Sequence, residues 1–158
     1  VAIVTGQTLG SGDVELAKAQ VWKLMFLAVA LASSVGIILA ISAGWITQIY
    51  RTEVEVRQLA AMFMRVAAFY MPFMAISHCS YFTIRSGGRT FLTMLFDSVY
   101  VFVICIPYTY ALVTFTDLGI ESLYPLSQLT QPLKAVLGLA FVSTGYWARS
   151  LVGEKSDA

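Results

Sequence analysis

Charge is what this sequence has least of. Asp, Glu, Lys and Arg make up 12% of its 158 residues, about half the ~25% share of a soluble domain, which is too little to coat a water-facing surface. Ten Lys and Arg against nine acids leave a formal net charge of +1 and no cationic block, so a phosphate-neutralising nucleic-acid interface is excluded. The two cysteines, Cys79 and Cys105, lie in apolar runs without CxxC or His spacing. They read as small buried residues rather than as a disulfide or metal ligands. No HExxH, no GxSxG, no Ser/His/Asp arrangement and no paired intramembrane carboxylates are present, so neither an enzyme nor a cofactor is expected. Residues 1–5 lack the charged start and cleavage site of a secretory signal. They read as the last turns of a helix already under way, with the expectation that the chain begins inside a longer protein.

Apolar residues are abundant instead: they make up 58% of the chain, with a mean hydropathy of +0.77. They come in runs that reach the ~20 residues needed to cross a bilayer. The expected fold class is all-α, a polytopic membrane helical bundle of four complete transmembrane helices plus an N-terminal helix stub. Residues 1–12 end the stub in a glycine-rich turn, and Asp13 is placed to cap the next helix. Residues 13–50 divide into a surface segment, with Lys18, Lys23 and Trp22 at headgroup level, and a first span over 24–50. Further spans are expected over 59–84, 91–115 and 118–142, followed by a mobile tail over 143–158.

Lys and Arg set the orientation. Lys18 and Lys23, Arg85 and Arg89, and Arg149 and Lys155 fall on one side, which places both ends of the chain in the cytoplasm. The loop from Arg51 to Arg57 has two cations beside two acids and is expected outside.

Ionisable groups inside spans are the informative ones, since each costs at least ~2.5 to 3.5 kcal/mol at mid-membrane unless paired or hydrated. Asp97, His78 and Lys134 all fall roughly 11 to 13 Å from the same membrane face by helical rise. Two readings follow. The three form a polar cluster that titrates or binds a coupling cation, or Asp97 and Lys134 form a static ion pair while His78 donates to a neighbouring carbonyl. Arg65 lies within snorkelling reach of headgroups. Gln128 and Gln131, one turn apart, either line a cavity or act as interhelical glue. Tyr100 and Tyr108, with Phe102 and Tyr110, are candidates to stack a cationic ligand, the first two as cavity-lining residues, or to pack. Pro72, Pro107, Pro125 and Pro132 free backbone groups within the spans.

Several stretches resemble one transporter family. Gly6-Gln7-Thr8-Leu9-Gly10-Ser11-Gly12-Asp13, followed by Glu15 and Ala17, resembles the Gly-Gln-x-Leu-Gly-Ala-Gly-Asp motif that recurs in each half of the multidrug and toxic compound extrusion (MATE) family. Arg85-Ser86-Gly87-Gly88 resembles its turn between two helices, and Asp97 and Pro107 match the helix that follows. Leu133-Lys134 and Gly145-Tyr146-Trp147 are similar to the last helix of a bacterial branch. The resemblance implies part of a twelve-helix, two-lobe transporter in the bacterial inner membrane, covering the end of helix eight and helices nine to twelve. It implies export of small organic cations or amphipathic compounds in exchange for H+ or Na+. It also implies two partners, membrane lipid and the N-terminal lobe of the same transporter. Two departures stand out: Arg89 sits where the family often has Asp, and the second span has no carboxylate where one branch carries a coupling acid. A lipid-linked saccharide flippase of the same superfamily, or a self-contained four-span assembly subunit, remains the alternative.

Overall fold

The computed structural model describes residues 1–88 and 90–148. Described residues form helices and turns and no strand. The expected all-α membrane bundle is the observed architecture.

Helix α1 (Ala2–Gly10) ends at Ser11, and Gly12, at φ +86°, makes the turn that its left-handed backbone demands. Asp13 then caps α2, its carboxylate accepting from the Leu16 N–H at 3.0 Å, as its position in the sequence predicts. Helix α2 (Val14–Gln48) is one uninterrupted element of 35 residues. The separate surface segment expected over 13–23 is instead the start of this helix. No Gly or Pro occurs between Asp13 and Gly36, and Ala, Leu, Lys, Gln and Met propagate a helix without cost. At 1.5 Å per residue α2 is ~52 Å long, well beyond a ~30 Å hydrocarbon layer, so one end projects past the membrane.

Helix α3 (Val54–Ser86) runs antiparallel to α2 and contains Pro72. Proline has no N–H, so the carbonyl four residues back, on Ala68, loses its partner. At that point α2 presents Gly36, where an added Cβ would lie 2.8 Å from the Ala68 oxygen. A glycine in α2 thus admits the freed carbonyl, an approach suited to a Cα–H···O contact.

Three described helical stretches are long and apolar enough to cross a membrane: Val14–Gln48, Val54–Ser86 and Phe91–Phe115. The third is not a regular α-helix. Helix α4 (Thr90–Met94) gives way to two π-helical segments, Leu95–Val99 and Val101–Cys105, before α5 (Ile106–Phe115). Pro107 in the first turn of α5 removes the N–H that would bond Val103, one reason the ladder cannot stay in α register through this stretch.

The span expected over 118–142 is two helices, α6 (Ile120–Ser127) and α7 (Thr130–Ser143). The break follows from Pro125 and Pro132, which between them remove two donors around Gln128 and Leu129. α7 packs against α3 through small residues: a Cβ added to Gly138 would come within 2.7 Å of Ser80 Oγ and 3.1 Å of Phe96 Cζ. Close approach of this kind replaces the hydrophobic drive that lipid does not supply.

The start of the expected mobile tail is also ordered. Trp147 is 2% exposed and its indole N–H donates to the Val142 carbonyl at 3.0 Å. It packs with Leu9, Val21, Met25 and Cys79 in the core that joins α1, α2 and α3. Its carbonyl presses on the α3–α4 turn, where a Cβ on Gly87 would lie 2.0 Å away. Arg89, Arg149 and Lys155, used above for orientation, lie outside the described residues.

Candidate functional site

The broken helix and the π-helical stretch meet at the residues singled out by their charge. Lys134 stands in the second turn of α7 and Asp97 in the first π segment. Lys134 Nζ donates to Asp97 Oδ1 at 2.6 Å. The two partners are unequally covered: the Lys134 side chain is 17% exposed and that of Asp97 56%. The ammonium is thus the more shielded of the two.

Aromatic rings hold the ammonium on its other sides. Lys134 Nζ lies 5.5 Å from the Phe96 ring centroid and 5.7 Å from that of Tyr100, within the range where ring quadrupoles attract a cation. Phe96 and Tyr100 are both buried, and Phe96 packs edge-on against Phe141 at 6.4 Å. Beside the pair is an apolar cavity of about 200 Å³ bounded by Phe96, Tyr100, Leu137 and Phe141 among others.

Below the ion pair, three tyrosines secure the helix break. Tyr100 donates to the Thr130 carbonyl at 2.6 Å, Tyr108 to Leu126 at 3.1 Å and Tyr70 to Pro125 at 3.3 Å. Leu129 N–H bonds Leu126 O instead of Pro125 O, and Gln131 N–H bonds Gln128 O. The Pro125 carbonyl is thereby left to Tyr70, and the Gln128 carbonyl, which Pro132 cannot serve, is satisfied by a tighter turn. Each backbone acceptor around the break thus has a partner, as the interior of a membrane demands.

Tyr100 and Tyr108, read from sequence as cavity-lining, therefore spend their hydroxyls on backbone, while their rings stand beside Lys134 and α6. Gln128 and Gln131 are half-buried at the break itself. The structure does not bring His78 to the pair. His78 is exposed, and its Nδ1 donates to the Met74 carbonyl of its own helix at 2.8 Å. The reason is helical phase: Ser80, Thr83 and Ile84, at i, i+3 and i+4, take the buried face of α3, and His78 lies more than a hundred degrees around the helix from each of them. Tyr70 was missed by sequence reasoning. Its signal was Pro125, whose break needs a donor, but nothing in the sequence says which helix supplies it.

The family model MatE matches residues 1–111. The chain belongs to the MATE family of membrane transporters. The matched residues include α1 to α3 and most of the π-helical span, and they carry Asp97; Lys134 lies beyond them. No curated protein and no solved structure matches the chain. As a MATE protein it is a multi-pass membrane protein, and the described helices have the length and composition that this requires.

Proposed function

We propose that this chain is part of a secondary active antiporter that exports cationic or amphipathic organic compounds in exchange for inward H+ or Na+. The observation that supports this reading is the Asp97–Lys134 pair, a carboxylate open to an incoming ion and tethered to a shielded ammonium. A proton or Na+ at Asp97 competes with Lys134 for the same oxygens. Neutralising the carboxylate releases Lys134 and loosens the π-helical span from α7, while an ion-free Asp97 draws the two together. The ion thus has different affinities for two arrangements, which is the physical requirement for coupling. On this reading the chain sits in the bacterial inner membrane with both ends cytoplasmic, lipid on one side and the N-terminal lobe of the same transporter on the other.

A lipid-linked saccharide flippase calls for several cations around one cavity. Here Arg65 shares a cleft between α2 and α3 with Arg57, while Lys134 on α7 is held by Asp97 of the π-helical span, so Lys134 is not part of that cleft. That separation favours a cationic cargo over a pyrophosphate.

The test uses the full-length protein in proteoliposomes with an imposed pH or Na+ gradient and a fluorescent lipophilic cation as cargo. Asp97→Asn is expected to abolish gradient-driven efflux while the protein still inserts and binds cargo. Wild-type efflux with unchanged ion dependence in that variant would overturn the reading.

A further inference from the structure

The two arginines near the Arg51–Arg57 end of the α2–α3 hairpin carry no part of the coupling scheme. Arg57 and Arg65 line a cleft of about 570 Å³ together with Gly44, Thr47, Gln48 and Gln58. Ion pairs among the described residues join Lys18 to Glu15 and Lys134 to Asp97, and neither arginine is in one. Arg57 Nε is buried without any hydrogen-bond partner. That nitrogen is closed off by the protein, so an anion in the cleft would be met by the outer nitrogens of the two guanidiniums, each a further donor.

Both side chains line one cleft. Arg65 follows Arg57 by eight residues on α3, about 12 Å of rise, and both lean toward the helix N-terminus, so Arg65 reaches back along the cleft toward the turn that carries Arg57. The Arg65 guanidinium lies against Gly44 of α2, at ordinary contact distance from where a Cβ would stand, 3.8 Å. Planar, always-charged guanidiniums are matched to phosphate oxygens.

What lies next to the cleft identifies the rest of the ligand. Arg65 also forms one end of an apolar groove of about 560 Å³ that continues along the same α2–α3 seam, past Ile37, Ala40, Phe69 and Phe73. At the other end, exposed Trp45 and Tyr50 mark headgroup level. A polar cleft with two cations at headgroup depth, opening into an apolar groove that runs into the bilayer, has the shape of a phospholipid.

The geometry points to a binding site for an anionic phospholipid, with its phosphate between Arg57 and Arg65 and an acyl chain along the groove at Ala40 and Phe69. Free inorganic phosphate shares the headgroup chemistry but has nothing to place in the groove.

Native mass spectrometry of the full-length protein separates these. The probes are phosphatidylglycerol, diacylglycerol of the same chains, and inorganic phosphate as competitor. Wild type is expected to retain phosphatidylglycerol but not diacylglycerol, and millimolar phosphate should not displace it. Arg57→Gln with Arg65→Gln should weaken retention about tenfold or more, since each charge-assisted hydrogen bond is worth at least that factor. Ala40→Trp, which fills the groove and leaves both arginines in place, should weaken it as well, and it carries the decision if the double variant fails to fold. The proposal is overturned if wild type retains no phosphatidylglycerol, if diacylglycerol is retained equally, or if neither substitution changes retention. Displacement by inorganic phosphate with Ala40→Trp without effect would assign the cleft to a free anion and also overturn it.

Discussion

The Tyr100 hydroxyl donates to the Thr130 carbonyl across 2.6 Å, joining the residue between two π segments to the first turn of α7. Its ring also stands against Lys134, so one side chain serves both the helix break and the ion pair. Replacement of Tyr100 by Phe keeps the ring and removes only the hydroxyl. The expected cost is about 1 kcal/mol, the usual net value of one hydrogen bond, and more than that of Tyr108→Phe, whose bond is longer. A thermal-unfolding series in detergent with each variant checks this, and equal shifts for the two would refute the ranking.

Loss of one member of the Asp97–Lys134 pair leaves its partner without compensation in a low-dielectric setting. Lys134→Met should therefore be tolerated better than Asp97→Asn, because it is the shielded ammonium, not the more open carboxylate, that suffers when left alone. The reversal Asp97→Lys with Lys134→Asp should recover part of the melting temperature lost in either single charge reversal. If the double variant is as unstable as the sum of the two, the contact contributes no pairwise energy.

Two glycines in helix interfaces are expected to differ in how they respond to alanine. At Gly138 the new Cβ meets the Ser80 side chain and the tip of Phe96, which can shift, so Gly138→Ala should cost about 1 to 3 kcal/mol and be relieved in part by Ser80→Gly. At Gly36 it meets the Ala68 carbonyl, a backbone atom. No neighbouring side-chain substitution should rescue Gly36→Ala, and a double-variant stability screen that found one would show that α2 and α3 do not approach as closely as described.

Gly87→Ala should be the most disruptive of the alanine variants, because the Trp147 carbonyl occupies the space the methyl needs. Trp147 then leaves its pocket, and its emission should move toward that of a solvated indole. A protein in which Trp22 and Trp45 are replaced by Phe isolates the signal; an unchanged spectrum would count against the packing of Trp147 on this turn.

Much of the bundle could be read directly from the residues, because hydropathy and capping act locally. Asp13 announces the start of α2, and the Arg85–Gly88 turn separates two spans. The pairing of Asp97 with Lys134 was open to depth counting from the two membrane ends, since helical rise is constant. Other features depended on three-dimensional phase. His78 shares the depth of Asp97 but not its direction, and rotation about α3 decides contact. The split between α6 and α7 had its cause in plain view at Pro125 and Pro132, yet a hydropathy window averages across two residues and returns one span. The π-helical stretch leaves no compositional trace at all, because its residues are as apolar as those of an ordinary helix. The order of Trp147 was hidden by the polar residues around it, which suggested solvent.

Trp147 gives this region an order of assembly. Leu9, Val21 and Met25 leave the ribosome before α3, but the cavity they frame stays open until residue 147 has been synthesised and folded back. A nascent chain stalled before that point would hold an apolar hole at the junction of α1, α2 and α3, stopped by lipid or by a chaperone rather than by its own side chain.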